Sequence, residues 1–221
     1  MLITTALSLV IASYLWGSVS PSYIVARWLK GIDLRHYGTG TLGGTNLGAQ
    51  LGFRWKVAIA AVDFVKGLTP TALALALGLP SAPVVLVGLA AVCGHNWSLY
   101  LRFAGGRGLA AAVGVICVWD VRLAALVALA LAVGTFTRYA GLMPVAAFAV
   151  LAPAAWFVGD GPEIIAGCFA FSLIIVLKRL EANRLPLPKE PRARMTALWR
   201  RLWLDRDVPL DQPWEERKRI D

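Results

Sequence analysis

Long apolar runs, each about the length of a membrane-crossing helix, alternate with short polar interruptions along most of this chain. A hydrocarbon core needs roughly 20 apolar residues per helix, fewer where a helix is broken or partly inserted. On that basis the pattern predicts helices over residues 2–29, 56–79, 83–103, 108–119, 121–136, 142–158 and 162–180. The division at Asp120 competes with one long helix broken there. The expected fold is therefore all-α, a polytopic membrane helix bundle of about seven transmembrane helices.

Basic residues decide the orientation. Arg27, Lys30, Arg35, Arg54 and Lys56 surround the first connection, Arg102 and Arg107 the third, Arg138 the fifth, and Lys178, Arg179 and Arg184 follow the last helix. The opposite connections carry Asp120, Arg122, Asp160 and Glu163. Positive-inside bias then places the N-terminus outside and the C-terminus in the cytoplasm. The first apolar run lacks a basic leader and a convincing cleavage site, so it reads as a retained helix. Residues 1–184 form the expected membrane domain and 185–221 a basic cytoplasmic tail. Within the tail, Leu198, Trp199, Leu202 and Trp203 recur at helical spacing beside Arg200 and Arg201, the pattern of an amphipathic helix on the inner leaflet, whereas 215–221 reads as solvated.

Composition agrees: 58% of the 221 residues are hydrophobic and mean hydropathy is +0.65, too apolar for a soluble domain of this size. The net charge of +9 gathers in loops and at the C-terminus rather than on a soluble basic face. It therefore suits anionic lipid or a phosphorylated substrate, and no nucleic-acid partner is expected. Cys93, Cys117 and Cys168 stand isolated in apolar runs, so neither a disulfide framework nor a metal site is expected.

Three polar islands fall on the predicted cytoplasmic side. The first, 33–50, contains Gly38, Thr39, Gly40, Thr41, Leu42, Gly43, Gly44, Thr45 and Asn46, with four glycines and four side-chain hydrogen-bonding residues in nine positions. Such a stretch cannot sit bare in lipid. It is either a plain interhelical turn or a wall of a polar cavity with backbone N–H groups turned toward an anion. The second holds Gly94, His95, Asn96 and Trp97, then Arg102, then Gly105, Gly106, Arg107 and Gly108; glycines around a cation before a helix combine backbone donors, a favourable dipole end and a fixed charge. The third spans 178–184. His95 reads as a general base or, slightly favoured, a structural residue, and His36 as solvated. Asp63 and Lys66, one turn apart in an apolar segment, are placed to pair with each other and scaffold the cavity.

Gly17 and Ser18, the run Gly31, Ile32, Asp33, Leu34 and Arg35, the glycine-rich loop, Asp63, Phe64, Val65, Lys66 and Gly67, then Gly94, His95 and Asn96, and finally Gly105 to Gly108 together resemble the bacterial acyl-phosphate-dependent glycerol-3-phosphate acyltransferases. The likeness extends over residues 8–184. It implies a small polytopic inner-membrane enzyme that moves a fatty acyl group from acyl phosphate to the 1-hydroxyl of glycerol 3-phosphate, making lysophosphatidic acid for phospholipid synthesis without cofactor, metal or covalent nucleophile. By position it implies catalytic roles for Thr39, Arg107, Arg179 and Asn183. It implies substrate or phosphate contacts for Gly38, Gly40, Gly43, Thr45, Asn46, His95, Asn96, Gly105, Gly106 and Gly108. Arg107 stands where the family has lysine, turning a point charge into a planar fork. Ala49 stands for an arginine, Gly141 for a serine and Arg179 for a histidine, while Asn183 matches an asparagine after a one-residue shift. Two competing readings are a non-catalytic or altered-acceptor relative that binds lipid or phosphorylated ligand, and a small transporter suggested by Asp63 and Lys66. A histidine–aspartate base pair is not supported, because Tyr100 and Thr41 stand five positions after His95 and His36.

Overall fold

The computed structural model describes residues 2–206 other than Arg138 and Leu185, and only the backbone of Arg184. Arg138 of the fifth connection and the tail 215–221 thus lie outside the described residues. Every regular element among the described residues is helical. They comprise α1 (Leu2–Ser18), α2 (Pro21–Lys30), α3 (Gly44–Leu51), α4 (Phe53–Ala76), α5 (Ser81–Asn96), α6 (Leu109–Trp119), α7 (Val121–Phe136), α8 (Leu142–Phe157), α9 (Pro162–Glu181) and α10 (Pro191–Leu204).

Three of the expected boundaries change. The helix expected over 2–29 breaks at Val19 and Ser20, because Ser20 adopts an extended backbone and caps α2 by accepting from the Tyr23 amide at 3.4 Å, and Pro21 brings no N–H to the first turn. The break leaves the Val19 carbonyl open to Lys66 Nζ at 2.9 Å. The second half of the glycine-rich island is helix α3 rather than loop, capped by extended Gly43 and ended by Gly52 at φ 98°. The helix expected to reach 103 stops at Asn96, after which a short 3₁₀ turn, Leu99–Leu101, leads into left-handed Arg102 and Phe103. The division at Asp120 is real: its extended backbone ends α6, and its carboxylate accepts from the Arg122 amide at 2.6 Å to start α7.

Helices approach closely where glycine removes the side chain. A Cβ on Gly17 of α1 would overlap the Ala91 carbonyl of α5, and one on Gly94 of α5 would overlap the Tyr14 carbonyl of α1. The same reciprocity joins α4 and α6, where Gly67 abuts the Ala111 carbonyl and Gly114 the Phe64 carbonyl. In lipid, such small-residue crossings supply the packing that hydrophobic burial cannot. The main apolar core gathers α6 to α9 around Ile116, Val127, Phe148, Leu151, Phe171 and Ile175. A smaller core of Ala26, Leu34, Leu42, Leu47 and Ile59 lies beneath the glycine-rich island. Large apolar side chains on the outer surface, among them Ile3, Ile11, Leu129, Phe136, Trp156 and Phe157, are exposed, as a lipid-facing surface requires. Among the described residues, three helical stretches are long and apolar enough to cross a membrane, Leu2–Lys30, Phe53–Ala76 and Ser81–Leu101, and Leu109–Trp119, Val121–Phe136 and Leu142–Phe157 are shorter apolar helices.

Candidate active site

The first island folds around one amide. Asn46, fully buried in the first turn of α3, donates through Nδ2 to the carbonyls of Leu34 at 3.2 Å, Tyr37 at 3.0 Å and Thr41 at 2.9 Å. Gly38 and Gly40 sit at φ 54° and 68°, where an L side chain is strained, so the turn depends on glycine at both. The Thr39 and Thr41 hydroxyls hydrogen-bond at 2.8 Å, and Ser22 Oγ of α2 donates to the Leu42 carbonyl at 2.7 Å. Thr45 is exposed, and Gly43 serves as the cap of α3. Beside this turn the Asp33 carboxylate takes a hydrogen bond from Arg35 Nη2 at 2.7 Å, which holds its pKa below the usual carboxylate range.

The second island lies against the end of α5. Side chains at Gly105 or Gly106 would overlap the backbone of His95 and Asn96 or the His95 ring, so this strand of chain passes only as glycine. The Gly106 amide donates to the His95 carbonyl at 3.1 Å, and the Leu42 amide donates to the Gly105 carbonyl at 3.0 Å, joining the two islands. Gly108 is left-handed at φ 69°, and a Cβ there would stand 2.7 Å from Asn96 Oδ1. Asn96 is fully buried, with both amide atoms unpartnered within the protein.

Asn183 closes the arrangement. Left-handed at φ 54° just after α9, it donates through Nδ2 to the Gly40 and Gly105 carbonyls, both at 3.0 Å, and accepts the Gly105 amide at 3.2 Å. All three islands therefore meet at this single side chain. The amides of Gly40, Thr41, Leu42, Gly105 and Gly106 are engaged in these internal contacts, whereas the sequence pattern had suggested that backbone donors face an anion. The cations beside the islands are a further means of holding one.

Four cations cluster around the islands. Arg107 is 9% exposed, Lys66 3%, and Lys178 and Arg179 are fully buried. Lys66 Nζ lies 3.0 Å from Asp63 Oδ1 and 3.0 Å from His95 Nδ1, and His95 Nδ1 lies 3.3 Å from the same carboxylate oxygen, so the intramembrane pair expected from sequence is a trio. It supports the second island from beneath, since the His95 ring packs on Gly106. Lys178 Nζ binds Glu181 Oε2 at 2.9 Å and lies over the Trp97 ring, whose Nε1 donates to that same oxygen at 2.9 Å. Arg107 donates through Nε to Asp205 Oδ1 at 2.7 Å and through Nη1 to the Lys178 carbonyl at 2.6 Å. Arg179 points elsewhere, donating to the carbonyls of Gly141 at 2.7 Å and Leu202 at 2.6 Å. Among the described residues, the buried cations Lys66, Arg107, Lys178 and Arg179 exceed the carboxylates Asp63, Glu181 and Asp205 by one charge, that of Arg179 on the side toward α10, in a largely water-excluded place. Among the described residues, no three His, Cys, Asp or Glu side chains gather closely enough to hold a metal ion.

The structure brings together Gly40, His95, Asn96, Gly105, Gly106, Arg107, Gly108 and Asn183, with Gly38 and Thr39 adjoining. It sets Thr45 on the surface and directs Arg179 to α10. Sequence reasoning set Lys178 and Glu181 in the third island without a role for either, and it missed Asp205 as a partner of Arg107. The spacing of Lys178 and Glu181 was the only local signal, since Asp205 reaches Arg107 across 98 positions.

The sequence model of the family described as glycerol-3-phosphate acyltransferase matches residues 7–186. The chain belongs to the glycerol-3-phosphate acyltransferase family. A glycerol-3-phosphate acyltransferase of Desulforudis audaxviator is 38% identical over 183 residues, 81% of this chain and 91% of that one. Glycerol-3-phosphate acyltransferase 5 of Dehalococcoides mccartyi is 34% identical over 218 residues, 94% and 91% of the two chains. The fold superimposes on the crystal structure of PlsY, an integral membrane glycerol 3-phosphate acyltransferase, in its glycerol 3-phosphate form. The TM-score is 0.74 and the identity 30%, covering 81% of this chain and 90% of that one. With the lysophosphatidic acid form of PlsY the TM-score is 0.72. This family member is accordingly an all-helical membrane acyltransferase.

Proposed function

We propose that the protein transfers a fatty acyl group from acyl phosphate to the 1-hydroxyl of glycerol 3-phosphate, yielding lysophosphatidic acid and inorganic phosphate, at the cytoplasmic face of a bacterial inner membrane. The bundle crosses that membrane seven times with its N-terminus outside. The observation that carries the proposal is the meeting of Arg107, the two glycine turns and Asn183 amid an excess of buried positive charge, in a chain of this family.

In the reaction the hydroxyl oxygen adds to the acyl carbon, the bond from that carbon to the phosphate oxygen breaks, and the alcohol proton passes to the departing phosphate, which leaves as hydrogen phosphate. An acyl phosphate is already activated, so the demand on a general base is low. Rate then comes from holding two anionic reactants in line and stabilising the charge that passes to the leaving phosphate. Arg107 supplies the cation. Asn183 fixes the relative positions of the Gly40 and Gly105 turns, and the Thr39 hydroxyl lies at their edge for the acceptor. The Asp63, Lys66 and His95 trio keeps the second turn in place.

Purified protein in detergent or proteoliposomes should release phosphate from palmitoyl phosphate only when glycerol 3-phosphate is present, and Arg107→Ala should abolish this release. Absence of turnover with glycerol 3-phosphate and with other phosphorylated polyols would overturn the proposal.

A further inference from the structure

The match to the family's sequence model ends at 186, yet the chain beyond it returns to the site. The C-terminal end of α10 rests on Gly141. A Cβ at Gly141 would stand 2.6 Å from the Trp203 carbonyl oxygen and 2.8 Å from Leu204 Cα, so no larger residue fits while α10 is seated. Arg179 bridges the same two elements through its bonds to the Gly141 and Leu202 carbonyls. Arg201 of α10, 3% exposed, donates to the Leu180 carbonyl at 3.1 Å and the Pro186 carbonyl at 3.3 Å. Gly141 and Arg179 both serve one contact, the seating of α10.

Just past that helix, Asp205 turns back in a left-handed conformation at φ 55°, and its Oδ1 accepts from Arg107 Nε at 2.7 Å. A guanidinium grips a carboxylate or a phosphate with two parallel N–H groups, and because Nη1 of Arg107 is bonded to the Lys178 carbonyl, its two-donor edge is the one that includes Nε. A phosphate held by that edge needs the nitrogen that Asp205 occupies, and two anions on one cation repel each other. Asp205 therefore stands in the place of a substrate oxygen.

We infer that Pro191–Asp205 is an internal ligand of the anion site: α10 docks on Gly141 and Arg179, and Asp205 competes with the substrate phosphate for Arg107. This rests on the reading of Arg107 as the phosphate-holding cation. Substrate must displace Asp205 before it can bind fully, so the tail sets the concentration at which the enzyme becomes active.

The test measures inorganic phosphate binding to the full chain in detergent micelles by calorimetry, together with hydrogen–deuterium exchange of α10 with and without phosphate. Asp205→Asn is expected to tighten phosphate binding by about 2- to 5-fold, the scale of one released ion pair, and to lower the KM for the phosphorylated substrates similarly. In the unmodified chain, saturating phosphate should speed exchange in α10. An unchanged or weakened phosphate Kd in Asp205→Asn, or α10 exchange indifferent to phosphate, overturns the inference. If Arg107→Ala loses phosphate binding while Asp205→Asn matches the unmodified chain, only the competition fails. If Arg107→Ala binds phosphate as well as the unmodified chain, the cation assignment and the competition fall together.

Discussion

Asn183 shows how much one amide can organise. It satisfies the Gly40 and Gly105 carbonyls with one NH₂ group and the Gly105 amide with its oxygen, so removing it leaves buried backbone groups unpaired. Asn183→Ala should lower kcat/KM by about 10-fold or more, with a fall in thermal midpoint, because each orphaned buried group costs about 1–3 kcal/mol. Arg107→Lys should retain turnover that Arg107→Ala lacks, since a lysine still supplies a point charge, although not the fork. Steady-state assays of the two variants side by side check this. At Asp33 the neighbouring Arg35 depresses the carboxyl pKa, so the pair stabilises the fold above the unfolded carboxylate value of about 3.9 and loses that contribution as pH falls through the depressed folded value. Arg35→Met should therefore cost up to about 1 kcal/mol at pH 7, and the difference should vanish in acid, as read from unfolding midpoints across pH. Arg107 was legible as a site candidate from the polar islands, whereas Asn183 became one only through the family resemblance. Their partners were not legible, because Gly40 lies 143 positions from Asn183 and no local spacing encodes that contact.

Paired helices are held by glycines that meet the opposite backbone from both sides. Gly67→Ala or Gly114→Ala should separate α4 from α6 and destabilise the bundle by about 1–3 kcal/mol each, seen as lower thermal midpoints in detergent. Because α4 carries Asp63 and Lys66, activity should fall with stability in these variants. At Asp120 the sequence left a division and one broken helix as competing readings, and the cap its carboxylate makes on the Arg122 amide decides for the division. The break between α1 and α2 carried the same kind of signal, Ser20 before Pro21, but the surrounding apolar run favoured a continuous helix. The tertiary contact of the Val19 carbonyl with Lys66 shows what the break serves. Helix α3 was hidden because Gly44, Thr45, Asn46 and Gly48 are poor helix formers, and its position is secured by packing of Leu47 with Leu34, Leu42 and Ile59.

At the scale of the molecule, composition and the alternation of apolar and polar segments carried the all-helical membrane architecture, whereas the order in which helices pack depended on glycine contacts that periodicity does not reveal. The proposed seven-crossing arrangement predicts opposite accessibility for Thr45→Cys and Arg122→Cys: in intact cells an impermeant thiol reagent should label the second and spare the first. Labelling of both, or of the first alone, would reverse or break the topology. The three islands come from widely separated parts of the chain, and the amide that joins them follows α9. During synthesis the glycine turns therefore emerge long before the side chain that locks them together. The joining of the islands waits on the turn after α9, and a chain cut short before residue 183 keeps the glycine turns without the amide that ties them together.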